Sequence, residues 1–146
     1  MAAPPGPLYI DASAFVKVYI PEPDSHVVER LMQGRRDLVV SDLCITETIS
    51  ALARQRRKGL LGEGVDQRAY LKILDHREAG LFLPAPLTTA THREAERLLL
   101  SIEGVPLRAA DALNLALATG AEAATMITFD GRLAAVARRI GMAIAP

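Results

Sequence analysis

Along this chain, short continuous apolar runs alternate with longer stretches in which apolar residues recur at helical spacing, the pattern of strands exchanging with amphipathic helices. Leu8-Tyr9-Ile10 is the first run; it ends on Asp11 and turns into a helical stretch over 13–20, with Ser13 placed to cap it and Pro21-Glu22-Pro23 to stop it. Over 24–32, Val27, Val28, Leu31 and Met32 fall on one helical face, and Gly34 ends the pattern. Leu38-Val39-Val40 is a second, β-branched run, closed by Ser41-Asp42. A long helix over 43–58 is marked by Leu43, Ile45, Ile49, Leu52 and Ala53, and its basic end suits the negative pole of the helix dipole.

After a turn between Gly59 and Gly64, a helix over 65–78 is carried by Tyr70, Leu71, Ile73 and Leu74. Leu81-Phe82-Leu83 reads as a strand, and the two prolines that follow it fit a strand end or a sheet edge. A helix over 88–103 turns Ala95, Leu98, Leu99 and Ile102 inward, and an Ala/Leu-rich helix over 107–119 ends at Gly120. A strand over 124–129, a helix over 131–140 and a closing strand over 142–145 complete the chain. This alternation predicts an α/β fold: three α/β/α layers, with right-handed crossovers joining a central parallel sheet of about five strands. Residues 1–7, with no basic residue and no apolar run, read as a loose N-terminal tail, and 8–146 as one domain with no repeat and no dividing linker.

Composition narrows the class. The 146 residues suffice for one core without disulfides, and with 50% hydrophobic but only 4% aromatic residues, Ala, Leu, Ile and Val must fill it. Cys44 stands alone and cannot form an intramolecular disulfide, which fits a reducing cytoplasm. His26, His76 and His92 lie in separate segments without the paired spacing of a zinc site. No apolar stretch is long enough to span a bilayer, so a soluble protein is expected. The 17 basic and 17 acidic side chains cancel, which argues against a general nucleic-acid coat but permits a basic rim around an acidic pocket.

Four carboxylates carry the candidate chemistry. Asp11 and Asp130 each follow an apolar run, where the C-terminal ends of parallel strands open onto a ligand crevice, although either could simply cap a helix. Asp111 is the strongest signal, because its helix is Ala or Leu at nearly every other position and a buried carboxylate needs a partner or a metal. A salt bridge with Arg108, three residues earlier, is the structural alternative. Glu47 sits between Ile45 and Ile49, near the buried side, but taken alone a solvated glutamate explains it better. Asn114 shares Asp111's face. If the four carboxylates meet, their mutual repulsion calls for a hard cation, Mg2+ or Mn2+, held by oxygen ligands and suited to phosphodiester hydrolysis. Cys44 reads as buried filler, and no nucleophile elbow or phosphate-binding loop is present.

The ordered set Tyr9-Ile-Asp-Ala-Ser13, the lone Glu47 in 41–47, the segment Leu107-Arg-Ala-Ala-Asp-Ala-Leu-Asn-Leu-Ala116 and Thr128-Phe-Asp130 resembles the four signatures of PIN domains, above all VapC-type toxins, over nearly the whole chain. The resemblance implies a ribonuclease with Asp11, Glu47, Asp111 and Asp130 as metal-binding catalytic carboxylates, and Ser13, Thr128 and Asn114 as hydrogen-bonding support. It further implies RNA as substrate, a homodimer, and a cognate VapB-like antitoxin. Arg35, Arg36, Arg54, Arg56, Arg57, Lys58 and Arg108 can form positive rims for phosphates, with Arg108 and Arg54 taken as substrate contacts; an ordinary solvated surface also accounts for 54–58. The alternatives are an RNA-processing PIN nuclease without a toxin role, and an aspartyl-phosphate phosphatase or receiver-like domain using Asp11. The last lacks a second aspartate two residues on and a receiver-like lysine in the closing strand.

Overall fold

The computed structural model describes residues 2–146. Strands β1 (Leu8–Ile10), β2 (Leu38–Ser41), β3 (Leu83–Ala85), β4 (Thr125–Ile127) and β5 (Ala143–Ala145) form one sheet in the order β3-β2-β1-β4-β5, with every neighbouring pair parallel. The helices are α1 (Ala12–Tyr19), α2 (Ser25–Met32), α3 (Asp42–Arg57), α4 (Val65–Glu78), α5 (Thr89–Ser101), α6 (Ala109–Gly120) and α7 (Gly131–Arg139). None of them is long and apolar enough to cross a membrane among the described residues.

Because successive strand residues point to opposite faces, the continuous apolar runs supply two cores at once. Leu8, Ile10, Leu38, Val40 and Ile127 face α1 to α4, where Phe15, Val28, Cys44 and Ile73 close the layer. Tyr9, Val39 and Met126 face the other way, under Leu98, Leu115, Ala116, Leu133 and Val136 of α5, α6 and α7. The three-layer expectation is therefore met, with helices on both faces of a parallel sheet. Register pairs Leu8 with Leu38 on one side and with Thr125 on the other.

The chain lays β2 and β3 outward on one side of β1, then crosses back to add β4 and β5 on the other side. The order reverses between β1 and β4, and a parallel sheet opens its ligand crevice at such a switch point. The same order removes the receiver-like alternative, because receiver domains follow the order 2-1-3-4-5.

Three expectations are corrected. The third strand lies at Leu83–Ala85, displaced from 81–83, and includes Pro84, paired with Val40; an edge strand bonded only to β2 tolerates the missing N–H. Phe82 instead turns into the core and meets the Phe15 ring edge-on at 5.5 Å. On α4 the buried positions are Asp66, Ala69 and Ile73, while Tyr70 and Leu71 are exposed, because the inward stripe is narrow: Ala69 meets Leu52, Val16 and Ile20, and Ile73 meets the sheet-facing core. Asp66 is paired with Arg56. On α5, Leu99 is exposed at 39% beside the buried Leu98. In the segment expected as a tail, Met1 lies outside the described residues; the Pro4 carbonyl accepts from Arg35, and the Pro5 carbonyl from Thr125 Oγ1 at 2.7 Å.

Candidate active site

Asp11 continues β1 by one residue, its N–H donating to the Ile127 carbonyl, and caps α1 through Oδ1, which accepts from Ala14 N at 3.2 Å. Asp11, and not Ser13 as expected, is thus the cap; Ser13 lies inside the first turn and donates from Oγ to the same Oδ1 at 2.6 Å. Thr128 Oγ1 donates to Asp11 Oδ2 at 2.6 Å and accepts from Asp130 N at 3.0 Å. Ser13 Oγ in turn accepts from Phe129 N at 2.9 Å. Both hydroxyl protons are spent on Asp11, which ties the ends of β1 and β4 together at the switch point. Burial pushes the Asp11 carboxyl above its usual range, against the hydrogen bonds from Ser13, Thr128 and Ala14, with the charge of Asp130 adding to the rise.

Glu47 lies on the second turn of α3 and is half-buried. Its Oε1 accepts from Asn114 Nδ2 at 3.1 Å, and Asn114 Oδ1 accepts from the Tyr9 hydroxyl at 2.7 Å. Because the single phenol proton goes to Asn114, the 2.9 Å contact between Tyr9 and Ser41 Oγ has Ser41 as donor. Ser41 Oγ also accepts from Cys44 N and so caps α3. A donor chain therefore runs Ser41, Tyr9, Asn114, Glu47, crossing from β2 through β1 and α6 to α3. Burial raises the Tyr9 phenol well above its usual value, which keeps the proton the chain depends on.

Asp111 sits in the first turn of α6, buried, and its Oδ2 accepts from the backbone N–H of Arg108 at 3.0 Å. The ionic partner is not Arg108 but Arg132 of α7, whose Nε is 3.4 Å from Oδ2. Asp130 caps α7, with Oδ1 accepting from Arg132 N at 2.9 Å and Leu133 N at 3.2 Å.

Three local links therefore bind the carboxylates into one neighbourhood: Asp11 to Asp130 through Thr128, Asp130 to Asp111 through Arg132, and Asp111 to Glu47 through Asn114, one turn along α6. As they stand they are not a finished ligand set. Among the described residues no three Asp, Glu, His or Cys side chains converge closely enough to hold a metal ion, since each carboxylate is turned toward a protein donor. The donor set nevertheless fits a hard divalent cation, being all oxygen and rich in uncompensated charge: only Asp111 of the four has a cationic side chain within 4.0 Å among the described residues.

Of the basic residues foreseen as rims, Arg108 is exposed at the head of α6 beside Asp111. Arg54 is exposed on the Glu47 face of α3, ~10 Å farther along the helix. Arg35 and Arg36 precede β2 at the opposite end of the sheet, where Arg35 pairs with Asp37, and Arg56 is taken by Asp66, so these do not rim the crevice. Cys44 is fully buried and burial pushes its thiol up, in keeping with filler. Tyr9, Ser41 and Arg132 were not foreseen. A tyrosine hydroxyl inside an apolar strand, and a cation in the first turn of a helix, were the signals available for two of them.

Residues 8–139 match the family model of the PIN domain. Ribonuclease VapC46 of Mycobacterium tuberculosis is 29% identical over 145 residues, covering 94% of this chain and 95% of that one. Among solved structures, VapC20 of Mycobacterium tuberculosis, described as a sarcin-ricin loop cleaving toxin, aligns with a TM-score of 0.70 at 18% identity over 88% of this chain and 94% of its own. FitAcB from Neisseria gonorrhoeae aligns with a TM-score of 0.64 at 19% identity, over 95% and 96% of the two chains. With a family match over nearly its whole length and a fold shared with both solved structures, this chain belongs to the PIN-domain family.

Proposed function

We propose that this PIN domain is a metal-dependent endoribonuclease that hydrolyses RNA phosphodiester bonds as the toxin of a type II toxin–antitoxin pair. The observation that carries the reading is that Asp11, Asp130 and Asp111 are joined through Thr128 and Arg132 beside the β1/β4 switch point, while Asn114, one turn from Asp111, holds Glu47, so that four buried or half-buried carboxylates are answered by one arginine. Asp11, Glu47, Asp111 and Asp130 would hold Mg2+ or Mn2+, which when bound supplies a water nucleophile at neutral pH and stabilises the leaving oxygen. The chain's own residues position: Ser13 and Thr128 fix both oxygens of Asp11, and Asn114 steers Glu47. No histidine is needed as base; His76, for one, is engaged with the Tyr19 hydroxyl at 2.9 Å. Arg108, exposed beside the crevice, and Arg54 meet RNA phosphates.

Similarity to a VapC ribonuclease and to a VapC toxin supports the toxin reading, and with it we take the protein to be cytoplasmic, homodimeric and held by a VapB-like antitoxin. The test is cleavage of RNA by purified Asp11→Asn and Asp111→Asn in Mn2+. Each should fold and lose more than about 100-fold in rate, beyond the cost of removing even an outer partner of a metal ligand. Full activity in either would refute the site. Expression should arrest growth and the product of an adjoining small gene should relieve it; harmless expression with cleavage of a precursor RNA would favour a processing enzyme.

A further inference from the structure

Arg132 is placed where elementary helix electrostatics would not put it. It follows the Asp130 cap in the first turn of α7, at the positive pole of the helix dipole, where a cation is disfavoured. Its backbone is tethered to one candidate carboxylate, N–H to Asp130 Oδ1, while its side chain leans on another, with Nε 3.4 Å from Asp111 Oδ2. That Nε is buried, yet no acceptor meets it in hydrogen-bonding geometry. Asp111 Oδ2 already takes the Arg108 N–H. The contact is therefore held by charge without the directional bonds that make Arg–carboxylate pairs strong. The Arg132 side chain is also 29% exposed against 9% for Asp111, so its outer part opens toward solvent.

We propose that Arg132 is an exchangeable counter-ion: it neutralises Asp111 while the crevice holds no divalent cation, and moves to a phosphate oxygen of the RNA strand when Asp111 takes one. The inference rests on the metallonuclease reading above. Two cations on one carboxylate repel, so Asp111 cannot keep both. A released guanidinium, anchored by its backbone at the crevice, carries the planar fork that matches phosphate. Arg132 thereby spares the empty site the cost of an unpaired buried charge, and its release supplies a substrate contact only in the loaded site.

The experiment compares wild type, Arg132→Gln and Arg132→Lys. In calorimetric titration with Mn2+ alone and no RNA, Arg132→Gln should bind about fivefold more tightly than wild type, the worth of one partly exposed ion pair. Arg132→Lys, which keeps the charge, should stay near wild type. With Mn2+ saturating, KM for a single-stranded RNA should rise about tenfold in Arg132→Gln. The slope of log KM against log salt should fall by about 0.7, one phosphate contact. Unchanged or weaker Mn2+ binding overturns the exchange, and unchanged KM and salt slope overturn the phosphate contact. If wild type itself takes up no Mn2+, the metal reading falls with it; if wild type binds and Asp111→Asn does not, that reading stands and the Arg132 variants decide.

Discussion

At the scale of the residue, Asp11 caps a helix and still stands at the crevice beside Thr128, so the two readings of a strand-end aspartate need not compete. One carboxyl oxygen caps α1 and accepts from Ser13, while the other is held from the end of β4 by Thr128. The arrangement is costly without a cation. Burial raises the Asp11 carboxyl above its ordinary 3.8, so the folded protein favours the neutral form more than the unfolded chain does. Stability from this group is fully present below the ordinary value and is lost as pH rises through the raised one. At neutral pH and without metal, Asp11→Asn should therefore melt higher than wild type, by on the order of 2–4 °C, with the gain vanishing near pH 4. A lower melting temperature at pH 7 would show that the hydrogen bonds outweigh the burial. Asp111 was legible from sequence because its apolar setting left a charge unexplained. Its partner was not: Arg132 lies in another helix, and only the fold replaces the nearby Arg108 with it.

Between elements, the donor chain from Ser41 through Tyr9 and Asn114 to Glu47 couples β2, β1, α6 and α3. Tyr9→Phe keeps the ring in the core but leaves buried Asn114 Oδ1 without its donor, at a cost of about 1–3 kcal/mol. The amide then keeps only its Nδ2 bonds, to the Ala110 carbonyl and to Glu47, and steers Glu47 less firmly. A 10–100-fold fall in cleavage, with retained far-UV circular dichroism, is the expected result. Cleavage at the wild-type rate would confine the chain to a structural role. The helical stripe of α6 was legible because it is buried nearly all round, whereas α4 and α5 were expected to bury too much. Helical spacing gives the centre of a stripe but not its width, which depends on how much neighbouring surface covers it; Tyr70, Leu71 and Leu99 fall outside.

For the whole molecule, the decisive feature is the reversal of strand order beside β1, which brings Asp11 and Asp130, 119 positions apart in the chain, to one crevice. Since protein donors already engage each carboxylate, metal should add stability to a fold that forms without it. Protein stripped with EDTA should keep its far-UV circular dichroism and lose all cleavage. Mn2+ at about 100 times its dissociation constant should then stabilise it by about 2.7 kcal/mol and restore activity. Loss of secondary structure in EDTA would make the metal a folding element and overturn this view.

Alternating apolar runs and helical stripes are local properties of the chain, and so the sequence by itself determined the α/β class, nearly every element and the acidic residues that apolar neighbours betray. Strand order, the displaced edge strand, the partners of Tyr9 and the pairing of Asp111 with Arg132 were decided only by tertiary structure. The physical reason is that a side chain's partner across a parallel sheet is set by which crossover lands where, and no periodicity within one segment records that.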